Sequence, residues 1–120
     1  SDSNFYHKTL IDSSNFEIVH NGMQWVLERP GGTAGRSKLE GVTICGKTGT
    51  SQNPHGDDHS VFMAFAPRNN PQIALAVFVE NAGGGGGTAA PIASLMIEKY
   101  LKRKVERLKL EQVIVEKVFY

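Results

Sequence analysis

The 120 residues contain a single cysteine, Cys45, and that scarcity removes two classes of small protein at once. One thiol cannot close an internal disulfide, and it cannot furnish a structural zinc site made of cysteines. Long hydrophobic runs are also missing, since no apolar stretch approaches the roughly 18 residues that a membrane-crossing helix requires. An excess of one charge is absent too: 13 Lys and Arg face 12 Asp and Glu, a formal net charge of +1. Charge therefore offers no argument for nucleic acid or for an anionic membrane surface. What is present is 40% hydrophobic residues, enough for one domain with a real core and too short a chain for two comfortable ones. Cys45 follows Val42, Thr43 and Ile44, so its thiol reads as a small core group, with no neighbouring imidazole to activate it.

Punctuation by glycine and proline divides the chain. Residues 1–10 carry little periodicity and read as an extended or disordered lead-in. Ser14 followed by Glu17 fits a capping box, and Phe16, Val19, Met23, Val26 and Leu27 recur at helical spacing. Arg29-Pro30-Gly31-Gly32 closes that helix. Residues 33–41 are polar and read as loop. Three strands follow over residues 42–50, 60–66 and 72–80, joined by short breaker-rich connections, and an antiparallel meander is the simplest arrangement. The third run is apolar almost throughout, which predicts burial on both faces. Five consecutive glycines at 83–87 read as a mobile link that packs nothing. Thr88 can cap a second helix with Pro91 in its first turn and Ile92, Leu95, Met96 and Tyr100 as its buried stripe. The fold class is thus α+β, a three-stranded antiparallel meander flanked by an N-terminal and a C-terminal helix. The tail over residues 102–120 has no certain structure.

Two motifs compete for Lys47. Gly41 through Thr48 fits the phosphate-loop pattern G-x-x-x-x-G-K-[ST] letter for letter. That motif needs a helix beginning at the lysine, whereas Gly49, Asn53, Pro54 and Gly56 follow here. The other reading is Lys-Thr-Gly on a strand, part of the serine acyl-transferase set of penicillin-binding proteins and class A β-lactamases. His55, Asp57, Asp58 and His59 could hold zinc, but a solvated polar loop is the simpler account. His7 and His20 read as surface or helix-face residues without a role.

The tripeptide has company. Residues 46–52 (GKTGTSQ), 59–67 (HSVFMAFAP) and 70–81 (NPQIALAVFVEN), then Ala89-Ala90-Pro91-Ile92-Ala93, with Gly22-Met23 and Gly32-Thr33-Ala34 upstream, resemble the transpeptidase domain of the penicillin-binding protein 2 family. The likeness runs from about residue 13 to 101, and several motifs agree in order and spacing. It implies a β-lactamase/transpeptidase-like fold, with residues 1–120 forming the C-terminal part of one transpeptidase domain (1–12 lead-in, 102–120 tail).

The resemblance also implies roles. Lys47 and Thr50 would be catalytic, Lys47 as a proton-handling ammonium and Thr50 through an oxyanion-hole amide. Thr48, Gly49 and Thr50 would bind substrate, the two hydroxyls holding a terminal carboxylate while Gly49 keeps the wall bare. Substrates would be peptidoglycan stem peptides ending in D-Ala-D-Ala, with β-lactams as mimics, and no cofactor or metal is called for. Partners would be a membrane glycan polymerase and the elongation machinery, and nucleic acid would not be one. The site would work on the periplasmic side of the inner membrane, below an anchor outside this chain. Departures matter as well. None of the eight serines has lysine three positions later, so the Ser-x-x-Lys nucleophile motif is missing. Ser13-Ser14-Asn15 matches Ser-x-Asn in letters but reads as a helix-capping segment. The chain is accordingly expected to be inactive alone and, with an unpaired sheet edge, to self-associate. A D,D-carboxypeptidase or β-lactamase-like hydrolase, a non-catalytic binding module and a nucleotide binder remain as alternatives.

Overall fold

A computed structural model describes residues 8–119; residues 1–7 of the expected lead-in, His7 among them, and residue 120 lie outside the described residues. Helix α1 (Ser13–Glu28) is followed by a single 3-10 turn (Gly35–Ser37), strands β1 (Cys45–Ser51), β2 (His59–Ala66) and β3 (Ile73–Val79), and helices α2 (Ala89–Lys102) and α3 (Leu108–Phe119). The strands form one antiparallel sheet in the order β1-β2-β3, the α+β meander expected. β1 and β3 are its two edges.

Register divides the side chains between two faces. Thr48 lies opposite Phe62 and Phe62 opposite Val77, while Thr50, Ser60 and Val79 form the next row. Directly paired residues share a face, so Gly46, Thr48 and Thr50 look toward the core with Phe62, Ala64 and Ala66. There α2 presents Ala89, Ala90, Ala93 and Ile97, all fully buried. Cys45, Lys47 and Gly49 share the opposite face with Phe65, Met63 and Val61. Helix α1 covers only one corner of it. The His20 ring meets the edge of Phe65 at 5.2 Å, and the Cys45 thiol donates to the His20 carbonyl at 3.6 Å. Cys45 is fully buried, and desolvation pushes its pKa up, with Arg68 partly opposing. That environment suits an inert core thiol.

Several expectations are corrected by packing. Asp12, not Ser14, caps α1: its carboxylate accepts from the Ser14 amide and hydroxyl, each at 2.8 Å, and those bonds hold its pKa down. Glu17 cannot close a capping box because its side chain pairs with Arg68. Phe16 and Val19 are exposed, and α1 buries its C-terminal end around Leu27 instead. Regular strand begins at Cys45 rather than Val42, because Val42 bridges Leu39 and the Thr43 carbonyl accepts the Arg68 amide. β3 is not buried on both faces. Its alternate residues Ala74, Ala76 and Phe78 are exposed, since only α2's side of this edge strand is covered.

On α2 the stripe is rotated from the one expected. Small residues face the sheet, letting helix and strands approach closely, while Met96 and Tyr100 are exposed. Thr88 occupies the N-cap position but donates its hydroxyl to the Ala82 carbonyl at 3.1 Å. The orphan amide of Ala89 goes to the buried Ser60 hydroxyl at 2.9 Å, so the sheet itself caps the helix. The tail is ordered as α3, with Ile114 buried. Arg107 ties it down by reaching Glu98 and Ser94 on α2 and the Lys38 carbonyl.

Candidate active site

The residues from Lys47 to Thr50 sit in the middle of edge strand β1. No helix starts at Lys47, so the phosphate-loop reading lacks its anion-cradling turn and is excluded. Strand alternation separates the four side chains. Thr48 and Thr50 project to the core side of the edge, and Lys47 projects to the other. Lys47 is exposed, and its ammonium bends back to donate to the Thr48 carbonyl at 2.8 Å. Among the described residues it makes no salt bridge. Gly49 faces Val61, where a Cβ would come to 3.4 Å, an ordinary contact. Its missing side chain therefore leaves the strand surface bare without being demanded by internal packing.

Residues that read as a passive link turn out to seat this strand. Gly85 is buried against the backbone of Gly49 and Val61, and a Cβ there would overlap both carbonyl oxygens. Gly86 lies as tightly on the Thr33 carbonyl, and Gly84 lies beside the Thr50 hydroxyl. Gly83 has φ +76° and donates its amide to the Asp58 carbonyl at 2.8 Å, a backbone state that disfavours other residues. The mobile link that packs nothing is thus replaced by a close-packed saddle. The Ser60 hydroxyl donates to the Gly84 carbonyl at 3.1 Å and fixes it from beneath. A run of glycine is the sequence signature of both a spacer and a close backbone approach, which is why composition alone could not separate them.

Thr33 completes the arrangement. Its hydroxyl stands 2.9 Å from that of Thr48, and the amide of Ala34 beside it donates to the Val26 carbonyl of α1 at 2.9 Å. Sequence reading placed Thr33 in a plain loop and gave it no role. The His55–His59 region is structural in its local bonds. Asp58 Oδ1 accepts from the Asn53 amide and His59 Nδ1 from the Asn81 amide, each at 3.0 Å. Among the described residues no three His, Cys, Asp or Glu side chains gather as metal ligands. Chemically, an edge strand with the Thr48 and Thr50 hydroxyls on its core side and one ammonium on the other can hold a carboxylate and leave edge backbone amides for a carbonyl oxygen.

Comparison with known proteins agrees with this fold. The chain is 31% identical to the peptidoglycan D,D-transpeptidase MrdA of Haemophilus influenzae, across 78% of this chain and 17% of that protein. Identity to the Escherichia coli K12 protein of the same name is 37%, across 62% of this chain and 14% of that one. Among solved structures, Pseudomonas aeruginosa PBP2 in complex with WCK 5153 superposes with a TM-score of 0.71 at 39% identity, covering 84% of this chain and 23% of that chain. Penicillin-binding protein 2B of Streptococcus pneumoniae gives 0.65 at 34% identity, covering 81% and 17%. The chain therefore spans less than a fifth of the length of these MrdA relatives. The penicillin binding protein transpeptidase domain model matches residues 1–98, and the chain belongs to that family.

Proposed function

We propose that this chain forms one wall of the acyl-transfer site of a penicillin-binding serine D,D-transpeptidase, which cross-links peptidoglycan stem peptides through an acyl-enzyme. The observation that carries the reading is Lys47-Thr48-Gly49-Thr50 on an edge strand of the sheet, within a chain of the transpeptidase family. Thr48 and Thr50 hydroxyls bind the terminal carboxylate of the stem peptide or of a β-lactam. Gly49 lets the peptide lie against the strand, and the Thr50 amide donates to the developing oxyanion. Lys47 handles a proton beside the nucleophile. The attacking serine, its activating lysine and the Ser-x-Asn motif come from polypeptide outside these 120 residues.

A fluorescent penicillin tests this directly. The 120-residue chain should take up no stable label, because removing the nucleophile leaves only residual transition-state stabilisation. The full-length polypeptide that contains it should label covalently at its Ser-x-x-Lys serine. Label on the short chain, or none on the long one, overturns the reading.

The same proposal puts the working site on the periplasmic side of the inner membrane, in cell elongation. A related solved structure is a complex between a penicillin-binding protein (PBP2) and MreC from Helicobacter pylori, which supports an elongation partner. Alone, the chain is expected to self-associate. Met63, Trp25 and Phe78 are each more than half exposed, and the free edge of β3 offers unpaired backbone groups. Light scattering at high concentration should read a dimer or larger, and a monomer contradicts it.

A further inference from the structure

We propose that Thr33 is a positioning residue that sets the direction of the Thr48 hydroxyl and so tunes the site for a carboxylate. The inference rests on the transpeptidase reading and goes beyond it by adding a residue outside the strand motif. Two hydroxyl oxygens 2.9 Å apart share one proton between them, and either can be the donor. A hydroxyl has one proton to give and two lone pairs. A carboxylate can only accept. If Thr48 donated to Thr33, it would turn lone pairs toward the incoming anion and repel it. When Thr33 donates to Thr48, the Thr48 proton is free to point at the carboxylate. The resulting chain, Thr33 to Thr48 to ligand, is also polarised along its length, which strengthens the outer bond.

The structure holds Thr33 in place for this task. The Ala34 amide bonds the Val26 carbonyl at the end of α1, and Gly86 packs directly on the Thr33 carbonyl. Helix and glycine saddle thus clamp the loop from two sides, so the hydroxyl reaches Thr48 without a search. A donor held before the ligand arrives is worth more than one ordered on binding. Thr33 is itself exposed and contributes no core packing, so its replacement by valine keeps shape and removes only the proton and lone pairs.

The test uses the full-length transpeptidase, acylated in parallel by a penicillin and by the methyl ester of that penicillin. Thr33→Val should lower the second-order acylation rate for the free acid by about five- to tenfold, the upper part of the scale of one neutral hydrogen bond, because Thr48 can still donate but is no longer oriented. The ester, which lacks the anion, should lose about twofold or less on the same argument. Thr33→Ser, which restores the hydroxyl, should return the free-acid rate close to that of the parent. Equal losses for acid and ester would mean a structural role and overturn the inference, as would an unchanged free-acid rate. A parent protein that neither compound acylates removes the transpeptidase reading itself, and this inference falls with it.

Discussion

Lys47→Ala in the full-length polypeptide is expected to cut penicillin acylation by about a thousandfold, within the roughly 10²–10⁴ range of a lost proton-transfer group. The fold should not notice. Lys47 is exposed, and among the described residues it forms no salt bridge, so the melting temperature should stay within the small scatter of surface substitutions. What alanine removes is the one ammonium on an edge strand whose hydroxyls carry no charge. Its bond to the Thr48 carbonyl, at 2.8 Å, keeps it near the strand, and a long flexible stem leaves it able to reach a neighbouring group. Lys47→Arg separates charge from proton handling. Arginine stays protonated and cannot pass a proton, so it should retain much of the affinity for an anionic β-lactam while acylation remains slow. Stopped-flow acylation at several penicillin concentrations resolves the two, because affinity appears in the half-saturating concentration and chemistry in the plateau. Parent-like plateaus for alanine would remove Lys47 from the catalytic set.

Most of the sheet was legible because β-branched runs and breaker clusters alternate clearly from residue 42 to 80. Strand order followed from short connections, and the pairing of Thr48 with Thr50 on one face followed from alternation alone. Helix faces were read less well, for a common physical reason. Hydrophobic size is a poor sign of burial here, since the α2 face against the sheet is built mostly from Ala89, Ala90 and Ala93, with Ile97 as its one large residue. Close approach selects small residues, leaving Met96 and Tyr100 outside. In β3, the apolar run predicts cover on both faces, although Ala74, Ala76 and Phe78 lack it in this chain. The candidate site was half visible. Its strand motif is local in sequence, whereas Thr33 and Gly84–Gly86 come from 15 or more residues away and only tertiary structure brings them to Thr48 and Gly49. The Glu98–Arg107 pair is hidden in the sequence as well, since the two residues lie on either side of a chain reversal at Arg103, whose φ is +63°.

Arg107→Ala should destabilise the protein by about 3–5 kcal/mol, the cost of stranding one member of a buried ion pair. Glu98 is 1% exposed, and its carboxylate accepts from Arg107 Nε at 3.0 Å. Without the guanidinium its remaining partner is the Glu106 amide at 3.3 Å. The same guanidinium donates to the Ser94 carbonyl at 3.1 Å, the Ser94 hydroxyl at 2.8 Å and the Lys38 carbonyl at 3.2 Å. One side chain thus joins α2, the start of α3 and the segment after the 3-10 turn. Removing the acid instead should cost less. Arg107 is 23% exposed and can turn to water, whereas Glu98 in the core cannot, so Glu98→Leu should leave a smaller deficit. The double variant should then resemble Glu98→Leu rather than the sum, because the stranded charge is gone. Urea unfolding reads all three through the midpoint at constant slope. Equal effects from the two single variants would mean that the pair is solvated in practice and that α3 is held by the rest of its contacts, Ile114 and Lys117 among them.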